Sequence, residues 1–216
     1  MFWVAIIGLL LMAYMLGSIP TGYWLAKFLK GIDIRQHGSG STGATNVLRV
    51  VGKKAALTAL IIDILKGALA IVAVRWLYLI MVSVYSSGLS NYQTGLHWMI
   101  TLAGLMVMLG HSRSIWLNFT GGKSAASGLG VLLAMFWPVG LGVLVVFSVV
   151  LAGFQIVSLA SMSAAIAAAV LMIFYQQPFP YQLMAIAGGL YVILRHRNNI
   201  ERLLAGTEPR VGRPLS

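Results

Sequence analysis

The chain has 216 residues, of which 59% are hydrophobic and 9% charged, contains no cysteine, and carries a formal charge of +11 at pH 7. A mean hydropathy of +0.90 lies far above that of a soluble domain and reads as an integral membrane protein, while the lack of thiols excludes disulfides and thiolate catalysis and leaves the redox compartment undetermined. The cations sit in short loops beside apolar segments, which suits anionic lipid headgroups and small phosphates and argues against nucleic acid as a partner.

In chain order, the first apolar run starts at Met1 with no Lys or Arg before it, so it lacks the charged head of a secretory signal and is read as a retained span near 2–26. Six of the fifteen Lys and Arg follow within 27–54, then a span near 56–76, the uncharged stretch SSGLSNYQTG (86–95) and a span near 96–111. Arg113 and Lys123 precede an apolar run from Ala125 to Phe174; QQPFP (176–180) and a segment near 181–194 lead to a tail with five basic residues in 195–213. Basic loops stay on the cytoplasmic side, which assigns 28–55, 112–124 and 195–216 to that face and 86–95 and 176–180 to the other. The chain must then cross an even number of times between Lys123 and Arg195. With one crossing near 181–194, the run Ala125–Phe174 supplies an odd number, and a single helix of that length would measure about 75 Å at ~1.5 Å per residue. Three short helices fit better, with turns at Pro138–Gly140 and Gly153–Gln155. The expected fold is an all-α membrane protein forming one domain over 1–216. It has seven transmembrane helices, several of them short, with the N-terminus outside and the C-terminus cytoplasmic.

Three polar clusters fall on the basic face. GSGSTGATNVLRVVGKK (38–54) sets three glycines within six residues, so that successive N–H groups can form an anion nest, with Ser39, Ser41, Thr42, Thr45 and Asn46 adding neutral donors and Arg49, Lys53 and Lys54 adding charge. Its G-x-G-x-x-G spacing, with Asp63 about twenty residues on, matches a dinucleotide fingerprint, but no strand precedes Gly38 and Asp63 lies inside an apolar helix. NFTGGKSAAS (118–127) combines two glycines and Lys123 at a helix start, again an anion site. It is not a Walker loop, which needs glycine where this chain has Leu117. In LRHRNNIERLLAGTE (194–208), His196 and Asn199 share a helix face, one able to relay a proton and the other to orient a hydroxyl. Asp63 and Lys66, three apart in an apolar span, read as a structural ion pair. His37 reads as a residue that positions the first loop, and His111, beside Gly110, as a polar residue behind the site or at a helix end. The scattered acids and histidines lack metal-ligand spacing, and no Ser-His-Asp elbow is present.

From GSIPTGYWLAK (17–27), through GSGSTGATNVLRVVGKKAALTALIIDILKG (38–67) and GHSRSIWLNFTGGKSAAS (110–127), to HRNNIERLLAGTE (196–208), the chain resembles the membrane-embedded acyl-phosphate glycerol-3-phosphate acyltransferases, the PlsY family. The resemblance implies transfer of a fatty acyl group from acyl phosphate to the sn-1 hydroxyl of glycerol 3-phosphate. The products are lysophosphatidic acid and phosphate, in the first step of phospholipid synthesis. It further implies a monomeric multi-pass protein of the inner (plasma) membrane, with its active site on the cytoplasmic face and neither cofactor nor metal. Carried over by motif, Ser39, Thr45, Asn46 and Arg49 belong to the first substrate loop, with Arg49 on a phosphate. Lys123 supplies the cation of the glycine-lysine loop, His196 and Asn199 hold the glycerol portion, and Ser161, in VSLASMS, approaches from the turn between the fifth and sixth spans. The chain departs from the family pattern at Ser41, usually asparagine, and at Ser-Ala-Ala-Ser after Lys123, where Gly-Val-Ala-Thr is usual.

Such chemistry demands little, since phosphate leaves readily, and positioning with anion stabilisation supplies most of the acceleration. The hydroxyl attacks directly, with either a donor phosphate oxygen or His196 taking the proton. Two rival classes are a phosphate or organophosphate transporter built from broken helices, which should also place polar groups at the midplane, and an acyl-CoA acyltransferase, whose H-x-x-x-x-D signature this chain carries only as His196 and Glu201.

Overall fold

The computed structural model describes residues 2–85 and 92–211, and among them the regular structure is helical throughout. Its α-helices are α1 (Phe2–Ser18), α2 (Thr21–Lys30), α3 (Ala44–Val50), α4 (Lys53–Tyr85), α5 (Tyr92–Ser112), α6 (Ala125–Met135), α7 (Trp137–Phe154), α8 (Val157–Phe174), α9 (Phe179–Arg195) and α10 (Arg197–Leu204), with 3₁₀ turns at Ile34–Gln36 and Ile115–Leu117. Four stretches are long and apolar enough to cross a membrane: Phe2–Lys30, Lys53–Val84, Trp137–Phe154 and Val157–Phe174. Trp3, Ile80, Trp137, Val149 and Phe174 project outward from them, as side chains facing lipid do.

Several boundaries differ from the expected ones for local reasons. The first run is not one helix: Pro20 has no N–H to continue the ladder, so α1 stops at Ser18 and the chain restarts at Thr21. The Ala125–Phe174 run does divide into three helices. Its first break falls at Phe136, extended at φ −154°, rather than at Pro138–Gly140, because Pro138 sits in the first turn of α7, where a missing N–H costs no bond. Its second break is at Gln155, left-handed at φ 59°, within the expected turn. Of the uncharged stretch 86–95, residues 86–91 lie outside the described residues, and Tyr92–Gly95 begin α5. Residues 212–216 of the tail also lie outside them.

α6 has 11 residues, about 16 Å at ~1.5 Å per residue, half the depth of a bilayer's hydrocarbon. It lies on α4 with almost no space between the backbones. A Cβ on Gly67 would strike the Ser127 carbonyl, and one on Gly130 would strike that of Ile64. Arg75 of α4 donates to the carbonyls of Ala134 and Met135 at 3.2 and 3.4 Å, satisfying acceptors that the short helix leaves open. The buried core runs between these layers through Ile71, Val74, Ile100, Val107, Val131, Val139 and Met172. α6 is thereby pinned at both ends, and its N-terminus is the element that carries Lys123.

Candidate functional site

One cavity of about 480 Å³ is lined by all eight residues singled out in the sequence: Ser39, Thr45, Asn46, Arg49, Lys123, Ser161, His196 and Asn199. Its polar end gathers the three clusters, and its body continues between α6, α7, α8 and α9 along Leu132, Phe147, Leu151, Ala168 and Met184.

The first loop is built differently from an open nest. Gly38 and Gly40 take left-handed φ of 59° and 69°, but the Ser39 N–H is spent on Asn46 Oδ1 (2.9 Å), that of Gly40 on the His37 carbonyl (3.1 Å) and that of Gly43 on Ser41 Oγ (3.3 Å). Asn46, buried in the first turn of α3, is the latch. Its Nδ2 donates to the carbonyls of Ser41 at 2.9 Å and His37 at 3.0 Å, and both polar ends of its side chain are used. Its bonds shape the loop, and Ser39, Thr45 and Arg49 line the cavity beside it. Arg49 stands exposed at the rim. Burial lowers its pKa, with Glu208 opposing and Arg202 reinforcing that shift, and a guanidinium remains cationic in the physiological range.

The second loop presents Lys123. Ser124 is left-handed at φ 64°, fully buried, and donates to the Met108 carbonyl at 2.6 Å, while Arg195 Nη2 donates to the Gly122 carbonyl at 3.2 Å. Lys123 Nζ donates to Asn199 Oδ1. Burial pushes the Lys123 pKa down to about 8, with Glu208 resisting and Arg202, Arg49 and Arg195 reinforcing. His196, at the junction of α9 and α10, donates from Nδ1 to the Val192 carbonyl at 2.7 Å. A carbonyl only accepts, so Nδ1 carries the proton and Nε2 is left as an acceptor. Burial holds the His196 pKa at about 4, so the ring is neutral at physiological pH.

The profile of the family described as glycerol-3-phosphate acyltransferase matches residues 7–206. The chain belongs to this family. It is 58% identical to glycerol-3-phosphate acyltransferase 2 of Rhizobium johnstonii over 98% of each chain, and 56% identical to the glycerol-3-phosphate acyltransferase of a Nostoc species over 99% of this chain and 96% of the other. Among solved structures it is similar to PlsY, an integral membrane glycerol 3-phosphate acyltransferase, in its glycerol 3-phosphate form. That match has a TM-score of 0.82 and 37% identity and covers 96% of both chains; the lysophosphatidic acid form gives 0.79.

In this acyltransferase the residue that sequence reasoning passed over is Glu208. Gly206, at φ 71°, turns the chain back after α10, and the Val211 N–H bonds the Gln155 carbonyl at 2.7 Å, so the tail straps the cavity. Glu208 Oε1 accepts from Ser158 Oγ (2.7 Å) and Asn199 Nδ2 (2.6 Å), and Oε2 accepts from Arg202 Nε (2.8 Å). Burial alone would raise its pKa, but the bonds from Asn199, Ser158 and Arg202 outweigh that and lower it. Asn199 therefore bridges Lys123 to a carboxylate, with both ends of its amide engaged. Glu201, the acid at the spacing of the acyl-CoA signature, is exposed and does not line the cavity. The signal for Glu208 was present: it is one of only four acids in the chain and follows a glycine just past an arginine-bearing helix. Asp63 and Lys66 do form a buried ion pair at 2.8 Å.

Proposed function

We propose that this acyltransferase takes its acyl group from acyl phosphate and attaches it to the sn-1 hydroxyl of glycerol 3-phosphate, releasing lysophosphatidic acid and inorganic phosphate. It works as a monomeric single domain, 1–216, in the inner (plasma) membrane, crossing seven times with the N-terminus outside and the site on the cytoplasmic face. The observation that carries this reading is the amphipathic cavity. Its cationic end, with Arg49 and Lys123, suits two phosphates, and its apolar body suits an acyl chain. Because one chain contributes all eight residues, no second copy is needed. The distribution of basic loops supports the sidedness.

The hydroxyl oxygen attacks the acyl carbonyl carbon, the bond from that carbon to the phosphate oxygen breaks, and the proton passes to a phosphate oxygen. Arg49 and Lys123 neutralise phosphate charge, and Ser39, Thr45 and Ser161 add neutral donors. Asn46 and Asn199 hold the first loop and Lys123 in place. A base with a pKa near 4 is poorly matched to work near pH 7, whereas a phosphate monoester titrates near pH ~6. His196 Nε2 accordingly accepts a hydrogen bond from the glycerol portion and orients it. No metal or cofactor is required, since phosphate is a competent leaving group.

The purified protein in detergent, given glycerol 3-phosphate with palmitoyl phosphate, is expected to release phosphate and form lysophosphatidic acid, with palmitoyl-CoA inert. Product from palmitoyl-CoA alone would overturn the assignment of donor. His196→Gln is expected to raise KM for glycerol 3-phosphate and to change kcat at saturation by less than about tenfold. A loss of about 10²-fold or more in kcat, the scale of general-base catalysis, would return the proton to His196.

A further inference from the structure

His111 ends α5 directly beneath the glycine-lysine turn, and the mechanism above gives it no part. It is buried and lines the cavity. Its carbonyl accepts the Gly122 N–H at 3.1 Å, and its ring Nε2 occupies the space where a Cβ on Gly122 would stand. Gly122 does not have a left-handed φ, so its backbone would tolerate alanine; the nearest atoms that exclude the methyl group are those of the ring. On the far side of the ring, Nδ1 lies 3.6 Å from Asp63 Oδ1, and Asp63 is paired at 2.8 Å with Lys66, which donates to the Ile19 carbonyl at 2.8 Å. A carboxylate on the Nδ1 side favours the tautomer with its proton there, so the bare Nε2 faces the turn. At that distance the contact is electrostatic rather than a hydrogen bond; α4 backs the ring, and the ring fills the space under the turn.

We propose that His111 is a positioning residue for acyl transfer: backed by Asp63, its ring is the seat of the Gly121-Gly122-Lys123 turn and sets where the Lys123 ammonium meets substrate phosphate. This rests on the reading of Lys123 as a phosphate-binding cation. The test is a coupling cycle in steady-state kinetics with palmitoyl phosphate and glycerol 3-phosphate, using Gly122→Ala in three backgrounds: wild type, His111→Ala and His111→Gln. In the wild-type background Gly122→Ala is expected to lower kcat/KM by about tenfold or more, chiefly through KM for a phosphate substrate. With the ring removed or replaced by the flexible glutamine, the same change should cost less than about twofold. His111→Gln, which keeps a polar side chain of similar reach, should retain more activity than His111→Ala and keeps the cycle readable where alanine does not fold. Equal cost of Gly122→Ala in every background, or wild-type kinetics for Gly122→Ala itself, would overturn the proposal. Lys123→Met separates the two readings. If it is inactive and the coupling is absent, only the role of His111 fails; if it is active, the phosphate-binding role of Lys123 fails, and this proposal with it.

Discussion

Lys123→Met is expected to lower kcat/KM by about 10²- to 10³-fold, the cost of removing one preorganised donor from developing negative charge, with the protein still folded. Methionine keeps the length and apolar stem of lysine, so packing at the start of α6 survives. Asn199 stays tied to Glu208 at 2.6 Å without its Lys123 bond. What disappears is the ammonium at the polar end of the cavity. The same group sets the alkaline limit. Burial holds its pKa at about 8 rather than at the ordinary 10.5, so kcat/KM should fall as pH rises through about 8. Lys123→Arg should move that fall to higher pH, since guanidinium does not deprotonate in this range. The sign for stability is opposite. A lysine whose folded pKa is depressed binds its proton less tightly folded than unfolded, so the penalty of burying its charge is full below about 8 and is relieved between there and 10.5. Inactivation at pH 9 should therefore come without loss of the thermal midpoint in detergent. A near-normal rate for Lys123→Met would remove this residue from the site, and a midpoint that falls together with the rate would assign the alkaline limb to unfolding.

Chemistry that resides in loops proved easier to read from the sequence than the scaffolding that supports it. Arg49, Lys123 and His196 stand out because cations and a histidine beside apolar helices have no packing reason to be there, and all three line one cavity. Asn46 and Asn199 were legible as polar residues of the site, but not as residues whose amides are consumed at both ends, because the sequence does not say which carbonyls a folded loop leaves open. The first loop's glycines signalled its turns correctly at Gly38 and Gly40, yet their flexibility serves a closed loop latched by Asn46 rather than an open nest. Helix breaks followed the same division. Pro20 and Gln155 interrupt helices where proline or a left-handed residue must, whereas Pro138 stabilises the start of α7, and its identity alone does not distinguish the two uses. His111 and Asp63, 48 positions apart, meet only because α4 and α5 pack together. No local pattern encodes that contact.

Glu208→Gln tests how far the cationic end depends on the Glu208 carboxylate. Glutamine can still accept from Ser158 and Asn199 at the Oε1 position, but its amide then faces Arg202 Nε, donor against donor, where the carboxylate accepted at 2.8 Å. A donor left without its acceptor costs about 1–3 kcal/mol when buried, toward the lower end here because the Arg202 side chain is 37% exposed. A larger consequence falls on Lys123, whose proton Glu208 helps to retain against Arg202, Arg49 and Arg195. With that charge gone, the alkaline limb of kcat/KM should move below pH 8, opposite to the displacement expected of Lys123→Arg. Activity at neutral pH should drop by about ten- to a hundredfold, the scale seen where residues that orient a metal's ligands are removed. On the acid side, a carboxyl whose folded pKa lies below its ordinary 4.5 stabilises the fold above that value. It gives up the contribution as pH falls through the lower one. The wild-type thermal midpoint should therefore decline below about pH 4.5, and Glu208→Gln should start lower at pH 7 and decline less. If the variant keeps the wild-type alkaline limb, the carboxylate does not act on Lys123, and the strap from Gly206 to Val211 closes the cavity without tuning its charge.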